Sequence, residues 1–486
     1  METLTTTLKP DLATCSRTIE LSPIDQIAPR EYLAVHFFFR LRPRADKLRI
    51  FRQLESGLAQ VSREVPEVLC SVDRRANGRE ELELLYHANS GASLTFKDYT
   101  AGSLRSQWPH GSFEDLEREH FPYTKLDRRL VLGLDAWKDA ARKPSLVVQA
   151  NFIEGGVMVT TCLHHLVCDG SGIFHFHRAL ARQVAAAATG QAPADHIGFD
   201  RRERHTVVSP HADVRLEDFP DWMPALSEDD ALKGTHYDPA SLPKVKYAIY
   251  FISKANIKRL RNKLRGVDDL PPSTIEAAGA FLWANKLQAR DIDSERYPEA
   301  KLSITIDARA RMKDPVVSPT YWGNLSEPNA VARMPTKDLC QPPRSVPGQT
   351  HHSWHSILPE AALRIKRAIA AVDNTAVRRL VGLLNQMPKA TSLTWNVDRW
   401  PGPDMLIVCI NKLLFNDLDF GPELGFSEAF RFTVGDTEGK PDGRCLVLPP
   451  RRADAGGLEI AVQYDTDTLK RLKRSQEFAE FFEWRN

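Results

Sequence analysis

The chain has 486 residues, more than one ordinary hydrophobic core supports, so we expect two domains. Apolar residues make up 42% of the sequence and charged residues 26%, and the formal net charge is only +2. This composition is typical of a soluble globular protein and provides no basic field for nucleic acid or an anionic membrane. The seven cysteines are scattered without a CxxC pair, and no apolar stretch approaches transmembrane length. We therefore expect a cytoplasmic protein with free thiols and no metal.

The first half of the chain alternates strand and helix patterns. Residues 31–42, EYLAVHFFFRLR, predict a strand, and residues 44–65 predict an amphipathic helix. Two further strand patterns, 145–153 and 157–163, flank Glu154-Gly155-Gly156, which predicts a hairpin. A helical pattern follows over 172–190, with Ser171 as the predicted N-cap and Gly190 as the predicted C-cap.

A polar, proline-bearing segment separates this half from a second one with similar patterns. We expect an N-terminal domain over 1–205, a crossover linker over 206–243 and a C-terminal domain over 244–486. In the second domain, Ser273 and Glu276 fit a capping box at the start of a helix. Strand patterns recur at 301–312, 404–421, 444–452 and 457–465, before a closing amphipathic helix at 467–484. The mixture predicts an α/β or α+β fold for each half.

The segment LHHLVCDGSG, residues 163–172, carries the candidate chemistry. Adjacent residues at a strand end point to opposite sides, so His164 and His165 cannot face one reaction centre. Either histidine is a candidate general base, because its ordinary pKa lies near neutrality. Gly170 and Gly172 permit a sharp turn after them, and Asp169 can hold that turn by an ion pair or by binding backbone amides.

Three other interpretations of this segment compete with a general base. Each histidine can be purely structural, as most histidines at strand ends are. A metal site is a second possibility, but no HExxH pattern is present and the adjacent histidines point apart. A nucleophilic Ser171 would require a GxSxG elbow, which the sequence does not have. From the local residues alone, both histidines remain candidates.

Motifs along nearly the whole chain resemble those of the BAHD superfamily of CoA-dependent acyltransferases. HHLVCDG resembles the HHxxxDG motif, which peptide-synthetase condensation domains share, and NDLDFGPELG (416–425) resembles the second signature, Asp-Phe-Gly-Trp-Gly. Residues 20–41 and the divergent second motif are most similar to the fungal branch that includes trichothecene 3-O-acetyltransferases. Supporting resemblances are TIDARARM (305–312), SPTYWGN (318–324), SLTWNV (392–397) and VLPPRRADAGGLEIAV (447–462).

The resemblance implies two chloramphenicol-acetyltransferase-like domains, each a mixed sheet flanked by helices, with the active-site tunnel between them. His165 matches the catalytic base, and Asp169 matches an aspartate that pairs with an arginine and holds the loop. Arg309 and Arg311 are the candidates to hold Asp169 and Asp419. Further structural support is expected from Gly170, Phe420 and Gly421. Pro422 to Gly425 replace the family's Trp-Gly, which puts any role of that tryptophan in doubt. Candidate tunnel residues are His164, Ser273, Thr274, Ser392, Thr394 and Trp395, with Ser392 and Thr394 as possible oxyanion donors.

The resemblance also implies the reaction. An acyl group, acetyl by analogy, is expected to pass from acyl-CoA to a hydroxyl of a secondary metabolite. Acyl-CoA is then a co-substrate, and the protein is expected to be a monomer with no bound cofactor, nucleic acid or membrane partner. Two alternatives stay open: acyl transfer from a carrier-protein thioester, as in condensation domains, and a non-catalytic partner protein with this fold.

Overall fold

A computed structural model describes residues 2–11, 16–134, 137, 140, 142–193, 196–227, 243–265, 270–326, 329–340, 354–434 and 443–486. The first half contains strands β1 (Thr3–Leu8), β2 (Arg17–Glu20), β3 (Tyr32–Arg40), β4 (Ser71–Arg74), β5 (Leu82–Tyr86), β6 (Ala92–Asp98), β7 (Lys143–Pro144), β8 (Leu146–Ile153) and β9 (Gly156–His164). Its helices are α1 (Pro23–Ile27), α2 (Lys47–Glu64), α3 (Phe113–Arg118), α4 (Arg128–Val131) and α5 (Gly170–Thr189).

The second half continues the numbering. Its strands are β10 (Trp222–Pro224), β11 (Val245–Ile252), β12 (Glu299–Thr305), β13 (Asn329–Pro335), β14 (Leu393–Trp395), β15 (Met405–Cys409), β16 (Ala429–Val434), β17 (Arg444–Val447), β18 (Leu458–Asp465) and β19 (Glu483–Trp484). Its helices are α6 (Lys254–Lys263), α7 (Thr274–Arg290), α8 (Thr336–Cys340), α9 (Trp354–Ala371), α10 (Asn374–Gln386), α11 (Thr466–Arg474) and α12 (Gln476–Ala479).

Two large sheets organise these elements. The first has six strands in the order β1-β6-β8-β9-β3-β16, and the second has seven in the order β13-β12-β15-β17-β18-β11-β19. Smaller sheets are formed by β2-β5-β4-β7 and by β10-β14. The predicted hairpin at Glu154-Gly155-Gly156 is confirmed by the antiparallel pairing of β8 with β9. β3 is buried over Leu33–Phe39, because it pairs with strands on both sides and both of its faces are covered.

One strand crosses between the two halves of the chain. β16 belongs to the second half in sequence but pairs antiparallel with β3 at the edge of the first sheet. Its Arg431 is fully buried and donates to the Glu459 carboxylate on β18 at 2.9 Å. Arg485 donates to the same carboxylate at 2.7 Å. Buried charges require such partners. The cluster therefore joins β16, at the edge of the six-stranded sheet, to β18 of the seven-stranded sheet.

The helix boundaries follow their capping residues. The predicted capping box of Ser273 and Glu276 is confirmed at the start of α7, and Gly190 closes α5 in the left-handed conformation, at φ 72°. The predicted linker, 206–243, is described over 206–227 and at 243, and its other residues lie outside the described ranges. Cys15 also lies outside them, and the six described cysteines are free thiols. Among the described helices, none combines the length and apolar character needed to cross a lipid bilayer.

Candidate active site

His165 lies at the junction of the two halves of the chain. It directly follows β9, and its backbone amide donates to the carbonyl oxygen of Glu31, just before β3, at 2.9 Å. Its imidazole Nδ1 lies 3.1 Å from the Oδ1 atom of Asn324, which belongs to the second half. The candidate base is therefore held by contacts from both halves of the chain.

The contacts of Asn324 assign the tautomer of His165. The Asn324 amide nitrogen Nδ2 donates to the His165 carbonyl oxygen at 2.9 Å and to the Asp25 carboxylate at 2.8 Å. Because both of those atoms are acceptors, the remaining amide atom, Oδ1, must be the oxygen, and it can only accept from Nδ1–H. The proton therefore sits on Nδ1 and the basic lone pair on Nε2, the form that a general base requires.

Asn324 is itself held by a buried carboxylate. Asp25, in α1, is fully buried and accepts from the Asn324 backbone amide at 2.8 Å and from Arg204 at 3.2 Å. Arg204 also donates to the carbonyl oxygens of Leu166 and Val167, at 3.1 and 2.7 Å, in the loop that follows His165. The sequence patterns did not indicate these roles for Asp25, Arg204 or Asn324. Two local signals were present: the Ser22-x-x-Asp25 capping pattern, which the structure contains, and the SPTYWGN motif, which ends at Asn324.

The environment of His165 sets the direction of its pKa. Burial lowers the pKa of His165 below its ordinary value, and the charge of Arg444 adds to this effect. A hydrogen bond to its own backbone, the charge of Asp169 and the contact with Asn324 oppose the shift without cancelling it. The imidazole is therefore neutral, and able to accept a proton, at neutral pH.

Asp169 is a buried structural carboxylate. Arg309 donates to it in a bidentate arrangement, Nη1 to Oδ2 at 2.8 Å and Nη2 to Oδ1 at 2.9 Å. The backbone amide of Leu325 donates to Oδ2 at 2.8 Å, and those of Ser171 and Gly172 donate to Oδ1 at 3.1 Å. The predicted pairing of Asp169 with Arg309 is thus present in the structure, and it joins the loop after His165 to the second half of the chain.

The cap of α5 differs from the prediction. Asp169, not Ser171, is the N-cap, because its carboxylate accepts the amides at the start of the helix. Ser171 lies in the first turn and donates its hydroxyl to Asp307 at 2.5 Å. The tightly packed glycine is Gly172, where a Cβ would stand 2.5 Å from the Cys168 Cβ. At Gly170 a Cβ would lie 3.9 Å from the nearest atoms of other side chains, so its packing constraint is weaker.

The other predicted structural residues do not gather around one arginine. Arg311 donates to the carbonyl oxygens of Ile369 and Val372, so the predicted pairing with Asp169 or Asp419 is not formed. Asp419 instead accepts from the Gly421 amide at 2.9 Å, inside its own turn.

Gly421 has φ 93°, and a Cβ there would lie 2.8 Å from the Ala185 Cα in α5. Phe420 packs 5.0 and 5.4 Å, ring to ring, from Phe39 and Phe37. This element therefore packs on the helix that follows the histidine motif.

The remaining candidates fall into three places. His164 is buried, lies edge-on to the Tyr32 ring at 5.2 Å and has its pKa lowered to about 3, chiefly by burial. Ser273 and Thr274 lie at the start of α7, where Ser273 is the cap. Ser392 and the strand residues Thr394 and Trp395 lie at β14, which pairs with β10 and not with the seven-stranded sheet. Of Ser392, Thr394 and Trp395, it is Trp395 that lines a cavity of about 420 Å³, together with Trp222.

Across the described ranges, we find no group of three or more His, Cys, Asp or Glu side chains arranged for a metal ion.

We expect Asn324→Ala to reduce kcat of the expected acyl transfer by about 10- to 100-fold. The tautomer of His165 is then no longer fixed, and a buried hydrogen bond worth roughly 1–3 kcal/mol is lost. The pKa that governs the acid side of the pH–rate profile should also fall further, since the Asn324 contact raises it. Asn285→Ala is the matched control, because Asn285 is similarly buried but bonds within α7. An equal loss of kcat in both variants would contradict the positioning role of Asn324.

Comparison with known proteins places this geometry in a family. The model of the Transferase family matches residues 113–479, and that of the trichothecene 3-O-acetyltransferase-like N-terminal domain matches residues 32–183. Acyltransferase easC of Emericella nidulans is 27% identical, over 96% of this chain and 95% of its own. Eremophilane O-acetyltransferase ORF8 of Penicillium roqueforti is 26% identical, over 96% and 98% of the two chains.

A solved structure has the same fold. TRI101 of F. sporotrichioides, complexed with coenzyme A and T-2, superposes with a TM-score of 0.77 over 96% of this chain and 100% of that chain, at 19% identity. The predicted fold class is thereby confirmed, and the family match with its acyltransferase relatives confirms the predicted enzyme class. Since the family model covers most of the sequence, the chain belongs to the Transferase family, as its two motifs predicted.

Proposed function

We propose that the protein transfers an acyl group from acyl-CoA to a hydroxyl of a small secondary metabolite, with His165 as the general base and acetyl-CoA as the expected donor. The observation that carries this proposal is the Asn324 contact, which leaves the lone pair on Nε2 of a half-buried, neutral imidazole. The TRI101 structure with coenzyme A and T-2 supports the choice of donor and of a small-molecule acceptor. The name of the eremophilane O-acetyltransferase supports an oxygen nucleophile and an acetyl group.

The proposed reaction is a direct transfer in one site. Nε2 of His165 takes the proton of the acceptor hydroxyl as its oxygen attacks the thioester carbonyl carbon. The tetrahedral intermediate collapses, the C–S bond breaks, and Nε2 returns the proton to the departing sulfur. A thiol has an ordinary pKa near 8.5, so the sulfur leaves readily without a strong acid. The two bound substrates have to exclude water from the reacting atoms, because water would otherwise compete with the acceptor for the thioester.

Asp169 and Arg309 support this reaction without touching the reacting atoms. Their ion pair holds the loop between His165 and α5, and the Asp25–Arg204 pair holds the other side of the same loop. Rigid support of this kind is needed because a base must lie within hydrogen-bond reach of the proton it removes. We therefore assign Asp169 a positioning role.

The direct test combines CoA binding with a thiol-release assay. Purified protein is titrated with free CoA by calorimetry, and acetyl-CoA is then incubated with a panel of terpenoid, polyketide and alkaloid alcohols while thiol release is recorded. The expected result is CoA binding and acceptor-dependent thiol release, with the acetylated alcohol identified by mass spectrometry. A protein that binds no CoA, and consumes an acyl group only from a carrier-protein thioester, would overturn the proposal in favour of a condensation-type reaction.

A further inference from the structure

A cavity of about 420 Å³ lies between the seven-stranded sheet, the C-terminal end of α9, the first half of α10 and the small sheet β10–β14. The small sheet is joined to the large one by long side chains. Lys301 on β12 donates to the Asn396 carbonyl oxygen at 2.6 Å, and Arg333 on β13 pairs with Asp221. The cavity lies beside these contacts, and its volume is that of clefts that hold small organic ligands, about 300–1,000 Å³.

The walls of the cavity are mainly aromatic and apolar. Trp222 and Trp395 face each other across β10 and β14, with ring centroids 6.1 Å apart and an angle of 88° between the ring planes. Both indoles remain partly exposed. Small side chains form another part of the wall: Ala330, Ala368, Ala371 and Ala376. A flat ring in this corner can stack on one indole and meet the edge of the other, the two arrangements that aromatic rings prefer.

One buried hydroxyl faces this cavity. Leu302 and Ile304, on either side of Ser303, belong to the core that α7 shares with the sheet. Because side chains alternate along a strand, Ser303 points to the opposite face, where the small sheet lies. Ser303 lines the cavity, is only 2% exposed, and makes no side-chain hydrogen bond to another described residue. Buried hydroxyls are normally hydrogen-bonded, so this one is available to a polar atom of a ligand.

The charged groups around the cavity are already engaged with other parts of the protein. Arg379 donates to the Asp218 carboxylate at 2.9 Å, and Arg333 donates to that of Asp221. Asp373 caps α10 and accepts a backbone amide of its first turn at 2.8 Å. An anionic ligand would meet three carboxylates here, and a cationic ligand would have to displace one of these donors. Since an unpaired charge is costly to bury, the cavity favours an uncharged ligand.

The helix α10 connects the cavity with the support of His165. Leu380 lines the cavity, and the next residue, Val381, borders the space around Asn324 and Arg204. The Oδ1 atom of Asn324 is the one that lies 3.1 Å from Nδ1 of His165. A ligand in the cavity is therefore separated by one helix, about 10 Å across, from the side chains that hold the candidate base.

We propose that this cavity binds an uncharged, flat, largely hydrocarbon ring system that carries one oxygen. Trp222 and Trp395 cover the rings, and the Ser303 hydroxyl binds the oxygen. Two sources supply a molecule of this chemistry: the acceptor of the proposed reaction, and a separate ligand that is not acylated. The binding itself does not depend on the proposed function, and kinetic experiments distinguish the two sources.

The binding test uses one ring system with three different charges. Prodan, an uncharged naphthalene ketone whose fluorescence depends on solvent polarity, is titrated into the wild-type protein and then displaced by naphthalenemethanol, naphthoic acid or naphthylmethylamine. Prodan should bind saturably with blue-shifted emission. The neutral alcohol should displace it at a concentration about tenfold lower than the acid or the amine requires. No saturable binding, or equal displacement by the three compounds, would overturn the inference.

Two alanines of α9 provide a matched pair of variants. Ala368 lines the cavity, whereas Ala370 is exposed on the same helix and lies outside the cavity wall. Ala368→Leu fills part of the cavity and should weaken prodan binding by about tenfold, while Ala370→Leu should change it by less than about twofold. Ser303→Ala removes only the hydroxyl and should weaken binding by about 2- to 10-fold. Equal affinities in the two leucine variants, with both proteins folded, would place prodan elsewhere and overturn the inference.

Inhibition kinetics identify the source of the natural ligand. Thiol release is measured with acetyl-CoA and an alcohol that the enzyme accepts, at increasing prodan concentrations. Prodan that raises the KM for the alcohol without changing kcat occupies the acceptor site, whereas prodan that leaves this KM unchanged occupies a separate site. Either result retains the cavity as a ligand site. Prodan binding requires no acyl transfer, so failure of the proposed function would abolish thiol release and leave this binding intact.

Discussion

Replacement of His165 by alanine should reduce kcat/KM for acyl transfer by about 10²–10⁴-fold, the usual contribution of a general base. The loss should appear in kcat rather than in CoA affinity, because the imidazole acts on the proton of the acceptor. The fold should survive, since the backbone amide of residue 165 keeps its bond to Glu31 and the Asp169–Arg309 pair is untouched. Thiol-release kinetics, CoA titration and thermal unfolding of the variant measure the three expectations.

His164→Ala is the matched control for this prediction. His164 is buried against Tyr32, and burial lowers its pKa to about 3, so it is neutral and packed rather than catalytic. Its removal should lower the melting temperature through lost packing and leave most of the activity. Equal losses of kcat in the two variants, with both proteins folded, would contradict the assignment of the base to His165.

The pH dependence of wild type provides an independent check on the same residue. Burial lowers the pKa of His165, so its neutral form persists at a lower pH than that of a free imidazole. The acid side of the kcat/KM profile should therefore fall with a midpoint below about 6.5, the ordinary histidine pKa. A midpoint well above that value would mean that a group other than His165 governs the acid side of the profile.

Local sequence patterns predicted the features that depend on local contacts. The box of Ser273 and Glu276 and the hairpin at Glu154-Gly155-Gly156 involve residues only a few positions apart, and both are present. The cap of α5 shows the limit of such patterns, because Asp169 and Ser171 are both good capping residues. Asp169 takes the position because its carboxylate also receives Arg309, which lies 140 residues away in the sequence.

The support of His165 could not be predicted for the same physical reason. Asn324 and Asp25 meet across 299 residues of sequence, and nothing in either local segment indicates the other. The family motifs identified the histidine and its aspartate, and the SPTYWGN motif contained Asn324 but did not indicate that its amide assigns the tautomer. Arg311 shows the converse, since a motif-matched arginine binds backbone carbonyls instead of a carboxylate.

Replacement of Asp169 by asparagine should reduce stability and activity together. Asp169 and Arg309 are buried. When the charge of Asp169 is removed, the half-exposed Asp307 is the carboxylate partner that Arg309 keeps among the described residues. Breaking a buried ion pair from one side typically costs about 3–5 kcal/mol. An asparagine amide also places a donor against Arg309 or the Leu325 amide, both of which donate. We expect a clear fall in melting temperature and soluble yield, with a loss of kcat that follows the displaced loop.

The pH dependence separates this structural role from a chemical one. Burial raises the pKa of Asp169, but the charge of Arg309 and the hydrogen bonds it receives outweigh that effect, so the net pKa is lowered. The stability it contributes is therefore complete above the ordinary aspartate pKa of about 3.9 and is lost only as the pH falls through the lowered value. Between pH 5 and 8 the Asp169→Asn defect in unfolding free energy should consequently be constant. Arg309→Lys, which keeps the charge but not the bidentate geometry, should show a smaller defect of the same kind. If Asp169→Asn instead lost kcat at an unchanged melting temperature, Asp169 would take part in the chemistry and the positioning role would be wrong.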